Sequence, residues 1–268
     1  MNNSLIQWPR AKYWSHAYNP FVGCEKISEG CQNCYAAVVV KRFGINGGSF
    51  APQLMPNAKP PKSGVVFVVN MTDIFGEWNS DENIHNCLTG LSAQVTNLVL
   101  TKRSSRMQCF LSLYGDTIKN ENILYGVTCE NQPRADERIP HLLAAGVQNR
   151  WLSLEPLLGP IDFKKEWFYA DNEKTCRNRD LLLHRHLHFC PECLPQTCGG
   201  INGIIVGAES IGNKAGRECK IEWIEHIVEY CRLDRIPVFV KQLHIGGKLV
   251  DDINKFPEHL RIRQVPWF

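Results

Sequence analysis

Three cysteines, Cys24, Cys31 and Cys34, lie within eleven residues in the pattern Cys-x6-Cys-x2-Cys. They supply three thiolates, one fewer than a structural zinc or a fully ligated iron–sulfur cluster takes. An incomplete shell is chemically useful. A cubane [4Fe-4S] cluster held by three protein sulfurs keeps one iron open to chelate the amino and carboxylate groups of S-adenosyl-L-methionine. Electron transfer to the sulfonium then yields a 5′-deoxyadenosyl radical, chemistry that belongs to the cofactor. Gly23 and Gly30 each precede one of these cysteines and permit close backbone approach around a bulky group. A zinc completed by His16 or by a remote ligand uses the same thiolates and stands as the alternative.

A second set, Cys176, Cys190, Cys193 and Cys198, falls within 23 residues, with His184, His186 and His188 among them. Cys190-Pro191-Glu192-Cys193 has the spacing of a zinc knuckle half-site, and four closed ligands suit a structural zinc. An auxiliary iron–sulfur cluster is the competing occupant. The remaining cysteines read as small apolar fillers. Cys129 is set apart because it follows a strand, where a thiol can donate a hydrogen atom to a substrate radical; a small apolar filler like the others is the alternative, and the favoured one.

The elements that must position these groups alternate between strand and helix. Apolar β-rich runs at 65–70, 98–101, 123–127, 151–154, 204–206 and 238–241 read as strands, with a further one before Cys24. Ser80-Asp81-Glu82 starts a helix that carries Ile84, Cys87, Leu88, Leu91 and Val95 on one stripe. Shorter helical patterns sit at 139–143 and 223–231. Alternation of this kind implies an α/β fold with a parallel sheet, and strands apolar on both faces suit a partial or full (β/α) barrel better than an open doubly wound sheet. The interval between the strands at Trp151 and Ile204 exceeds its neighbours by about 25 residues. We therefore read 1–268 as one domain carrying a Cys/His-rich metal-binding insertion at 174–200.

Each strand ends in polar or ionisable residues, the face on which barrel enzymes build their sites. S-adenosyl-L-methionine needs a cation for its carboxylate and an acceptor for its ribose hydroxyls. Lys102 or Arg103 suits the first role and Glu130 or Glu155 the second. Asn70, Thr72, Asp73 and Gln242 are left for adenine or substrate, with Glu209 and Lys241 completing the expected cofactor shell.

The segment Asn19-Pro20-Phe21-Val22-Gly23-Cys24, continuing through Ser28, Gly30, Cys31 and Asn33 to Cys34-Tyr35-Ala36, resembles the signature of a phage- and bacteria-associated radical S-adenosylmethionine-like family of unknown function. Later blocks are similar to it in order: Asn70-Met71-Thr72-Asp73, Leu100-Thr101-Lys102-Arg103, Thr128-Cys129-Glu130-Asn131, Leu152-Ser153-Leu154-Glu155-Pro156, Gly207-Ala208-Glu209-Ser210 and Val240-Lys241-Gln242. The resemblance implies a radical-enzyme barrel. The chain departs from the usual radical-enzyme motif, which has three residues between its first two cysteines and an aromatic residue before the third; here the gap is six and Asn33 holds that place.

The 268 residues are 44% hydrophobic and 21% charged, a globular composition, and the formal charge of +3 is too small to mark a nucleic-acid binder by itself. No secretory pattern opens the chain and no apolar run reaches membrane-spanning length, so a cytoplasmic protein without a membrane partner is expected. The resulting expectation is a radical enzyme reduced by a flavodoxin- or ferredoxin-like protein, with a nucleic-acid base or nucleotide as the leading substrate class and a small molecule or peptide as the alternatives. The alternatives are a non-catalytic nucleic-acid-binding metalloprotein and an iron–sulfur redox sensor.

Overall fold

Period-two alternation along the strands decides which residues face which core. The structure is a computed structural model that describes residues 11–168, 200–265 and 267. Its central sheet has eight strands: β1 (His16–Tyr18), β4 (Val65–Val68), β5 (Thr96–Thr101), β6 (Ile123–Thr128), β7 (Arg150–Leu154), β8 (Gly203–Gly207), β11 (Val238–Ile245) and β12 (Lys248–Val250). They pair in chain order, parallel from β1 to β11, with β12 antiparallel at the edge. The order never reverses, so the switch point of a doubly wound sheet does not occur among the described strands. Small pairs, β2 (Phe21–Val22) with β3 (Gln53–Leu54) and β9 (Ser210–Ile211) with β10 (Lys214–Ala215), lie outside it.

Val66, Val68, Val99, Val127, Leu152, Val206 and Val240 pack on one face against helices. These are α1 (Tyr35–Phe43), α2 (Asp81–Thr89), α3 (Ser104–Tyr114), α4 (Gln132–Ala144) and α5 (Ile221–Leu233), although α1 builds its own small core with Val22 and Met71. The neighbours of the first set, Val65, Phe67, Leu98, Leu124, Trp151, Ile205 and Phe239, form a separate inner cluster around Tyr13. In a flat sheet the strands of Phe67 and Phe239 stand five spacings apart, about 24 Å. Yet the Tyr13 ring lies 6.3 Å from that of Phe67 and 5.6 Å from that of Phe239. The sheet therefore curls around its inner aromatic layer.

Local chemistry explains where the helices start. The Ser80 hydroxyl accepts from the Asn83 N–H at 3.2 Å and caps α2 as the sequence predicts. The helix expected over 139–143 begins earlier, at Gln132, because the Asn131 side chain caps it by accepting from the Arg134 N–H at 3.2 Å. Helices α1 and α3 were not expected. The Val38-Val39-Val40 run in α1 has strand-like composition, and burial of Ala36 and Val40 against Val22 and Met71 overrides it.

The cysteines at 176, 190, 193 and 198, with the insertion at 174–200, lie outside the described residues apart from Gly200. The residues flanking that segment adjoin one another. Ile201 N–H donates to the Trp167 carbonyl at 3.1 Å, and a Cβ on Gly200 would overlap the Phe168 backbone.

Trp151 anchors the inner layer. It is fully buried, its indole N–H donates to the Leu124 carbonyl at 3.2 Å, and a side chain at Gly126 would collide with its ring. Trp151→Ala should lower the free energy of unfolding by roughly 3–5 kcal/mol in a denaturant titration.

Candidate functional site: the cysteine loop and the cavity beneath it

Because strand residues alternate, those two positions beyond an inner-layer residue emerge at the C-terminal end of the sheet on the same face. Leu98, Leu100 and Lys102 form one such series, Trp151, Ser153 and Glu155 another, and Phe239 and Lys241 a third. All of these end on a cavity of about 380 Å³, whose wall also includes Asn70, Thr72, Asp73, Arg103, Thr128 and Glu209. Its roof is the cysteine loop: Cys24, Cys31 and Cys34 all line the cavity as free, half-buried thiols. His16, the alternative fourth ligand, is exposed on β1 opposite Val66 and does not line it.

The loop is strapped to several strand ends. Ser28 Oγ donates to Glu130 Oε1 at 2.5 Å, and Glu130 is itself completely buried against Arg138 Nη1 at 2.8 Å. A Cβ on Gly30 would overlap the Glu130 carboxylate, so glycine is required there for close approach. Asn33 Nδ2 donates to Glu209 Oε2 at 3.0 Å, and Arg217 grips the Glu209 carboxylate through its guanidinium. Arg217 Nη1 also donates to the Glu29 carbonyl at 2.9 Å. On the other flank Arg103 Nη2 donates to the Glu25 carbonyl at 3.3 Å, Thr72 Oγ1 donates to the Gly23 carbonyl, and Asn131 Nδ2 and Arg134 hold the Glu29 carboxylate. Gly23 has φ +83° and no room for a Cβ beside Ala51.

These contacts sort the ionisable residues. Asp73 accepts from Thr101 Oγ1 at 2.6 Å, Lys102 N–H at 2.9 Å, Phe75 N–H at 3.1 Å and Arg103 at 3.4 Å, which leaves its carboxylate engaged within the protein. Arg103 is consumed likewise, by Asp73, by Glu77 at 2.7 Å and by the Trp78 ring face. Asn70 holds Asn19 through its side chain and Tyr35 OH through its carbonyl. Glu130 does not line the cavity; it anchors the loop. Lys102, by contrast, faces the cavity without an ion-pair partner among the described residues, and Lys241 Nζ lies 3.2 Å from Glu155 Oε1. Cys129 shares the parity of Tyr125 and Val127, so it is fully buried in the helix-side core and outside the cavity wall.

The electrostatics differ among the groups. Burial pushes the Cys24 thiol up to about 11, helped by Asp73 and opposed by Arg103. Burial also opposes ionisation of Cys31, but Lys102 and hydrogen bonds from Ile27 and Ser28 outweigh it and lower its pKa. The Glu155 carboxyl is raised by burial despite Lys241 and Lys102. Burial likewise opposes the Glu209 carboxylate, yet Arg217 and Asn33 bring it down to about 2.

Sequence reasoning missed Ser28, Asn33 and Arg217 as straps and Thr128 and Ser153 as cavity wall. Strand parity could have placed the last two and excluded Cys129. Among the described residues no three His, Cys, Asp or Glu side chains converge as they would around a single ion, and no helix is long and apolar enough to cross a membrane.

Removing Glu130 leaves Arg138 as an uncompensated buried charge, so Glu130→Ala should destabilise the fold by about 3–5 kcal/mol, against about 1 kcal/mol for Ser28→Ala, in thermal or denaturant unfolding. The loop straps should also respond to acid. Glu209, and Glu29 through its own hydrogen bonds and Arg134, have pKa values lowered to about 2 from 4.5. A depressed folded-state pKa gives stability that is present above pH 4.5 and lost as pH falls toward 2. Amide exchange of residues 25–33 should accelerate over that window before the sheet opens.

Comparison with known proteins found no similar chain among curated proteins and no similar solved structure. A family model described as "Protein of unknown function (DUF5131)" matches residues 4–256, which takes in the cysteine loop, every strand of the sheet and the cavity. The chain belongs to that family.

Proposed function

We propose that the protein is a radical S-adenosylmethionine enzyme whose cluster is held by Cys24, Cys31 and Cys34. The observation that carries this reading is three half-buried thiols on one strapped loop, roofing a cavity whose wall carries Lys102, a cation without an ion-pair partner among the described residues. In a cubane each thiolate takes a different iron, so its ligands need not converge on one point as those of a mononuclear zinc do. When bound, the cluster and S-adenosyl-L-methionine supply reductive cleavage of the sulfonium. The chain's own residues hold and orient. Lys102 is placed to pair with the cofactor carboxylate, since Arg103 and Asp73 are already spent on each other. Glu155 supplies an acceptor for ribose hydroxyls and Lys241 fixes it. Glu209 and Glu130 position the loop.

On this reading the curled, consecutively ordered parallel sheet is a partial (β/α) barrel with its site at the C-terminal ends of the strands. The protein works in the cytoplasm, where thiols stay reduced, on a nucleic-acid base or nucleotide, and draws electrons from a flavodoxin- or ferredoxin-like protein.

Anaerobic reconstitution with iron and sulfide should give about four irons per chain and a reduced-state paramagnetic signal that Cys31→Ala abolishes. Dithionite with S-adenosyl-L-methionine should release 5′-deoxyadenosine. Zinc at stoichiometric level with no sulfide would sink the proposal and favour the non-catalytic metalloprotein. Lys102→Ala and Glu155→Gln should each weaken S-adenosyl-L-methionine binding about tenfold, or 1.4 kcal/mol, in calorimetry while leaving the cluster signal intact.

A further inference from the structure

Helix α1 starts at the third cysteine: Cys34 is its N-cap. One face, with Ala36 and Val40, packs on Val22 and Met71. The opposite face is unusual for a helix at a protein surface. Val38 and Arg42, four residues apart, form a single outward stripe, and Tyr35 at its start leads into the cavity wall, its hydroxyl bonded to the Asn70 carbonyl. Tyr35 is 52% exposed, Val38 54% and, at the helix end, Phe43 68%. Arg42 and Lys41 are exposed too, with the Arg42 guanidinium over the Phe43 ring at 5.6 Å. Of the eight large hydrophobic residues exposed among the described residues, five lie between Ile27 and Leu54. The apolar surface is therefore concentrated beside the cysteine loop.

Its charge is as one-sided as its polarity. No Asp or Glu occurs from Gly30 to Thr72, a stretch of 43 residues that carries Lys41, Arg42, Lys59 and Lys62. The chain's 27 acids in 268 residues would place about four there. A helix face that is apolar and carries Lys41 and Arg42, on a stretch of chain without acids, suits a partner with an acidic rim and an apolar centre. Exposed aliphatic side chains such as Val38 contribute little to phosphodiester binding, which draws on cations and stacked aromatic rings. The helix is about 14 Å long, so a partner lying along it stays within that distance of Cys34.

From this placement we infer that the outer face of α1 is the docking surface for an acidic electron-donor protein. The inference rests on the radical-enzyme reading for its purpose, though not for its geometry. The transfer moves one electron from the reduced donor to the site behind Cys34; the donor is oxidised by one electron, and no bond forms or breaks.

The test uses an acidic flavodoxin as probe and separates docking from chemistry. Labelled flavodoxin should bind the protein prepared without iron, as read by fluorescence anisotropy, and the affinity should fall with added salt. The charge variant Lys41→Glu/Arg42→Glu and the apolar variant Val38→Asp should each weaken binding about tenfold, whereas Leu233→Asp, which alters an equally exposed residue on α5, should not. Wild-type affinity in both α1 variants, or the same loss in Leu233→Asp, would overturn the inference. Loss of affinity for a single-stranded oligonucleotide with flavodoxin binding unchanged would overturn it in favour of a nucleic-acid surface. With reconstituted protein, the α1 variants should slow reduction by flavodoxin and leave reduction by dithionite untouched. If dithionite reduces nothing in the wild type, the cluster reading fails while the binding result still decides the docking surface.

Discussion

The arrangement of the site depends on one buried ion pair. Glu130 and Arg138 are both removed from water, and each further hydrogen bond to such a pair offsets part of its desolvation cost. Arg138 also donates to the Thr128 carbonyl at 2.6 Å, and Ser28 fills the free side of Glu130. The cysteine loop thus adds a hydrogen bond to the buried carboxylate that Arg138 balances. The position of the loop is set by polar contacts to the segments that follow β4, β5, β6 and β8. Loop and sheet are mutually dependent: the loop hydrogen-bonds the buried carboxylate, and the core fixes the loop.

A second constraint is the allocation of charge along the rim. Neighbouring residues at the end of β5 have opposite fates. Arg103 turns back to Asp73, Glu77 and Trp78, and Lys102 is left facing the cavity. A planar guanidinium with five donors is suited to tying several elements together, and an ammonium on a flexible stem is suited to meeting a ligand. The rigid cation is used for structure and the mobile one is available for binding.

Much of this was legible in the sequence, and the parts that were not have identifiable causes. Six strands, the Ser80 cap and the convergence of strand ends follow from local pattern, because apolar alternation and capping act over a few residues. The rank of Lys102 over Arg103 does not, since it depends on Asp73 and Glu77, 26 to 30 residues away. Nor does the anchoring role of Glu130, whose partner Ser28 is 102 residues distant. The placement of Cys129 was available from parity, because Val127 two residues earlier belongs to the helix-side core. Helix α1 was hidden by a valine run whose composition favours strands and whose conformation is decided by packing.

The joint between Phe168 and Gly200 has a consequence for how such a chain can change. The backbone on either side is already bonded together, so whatever joins those two positions closes a loop whose ends are fixed by the sheet and not by the loop itself. Closure entropy grows only slowly with length. Selection can therefore lengthen, shorten or replace that stretch while the thiol-roofed cavity stays constant, which makes the joint a natural point for exchanging an accessory module without redesigning the sheet around it.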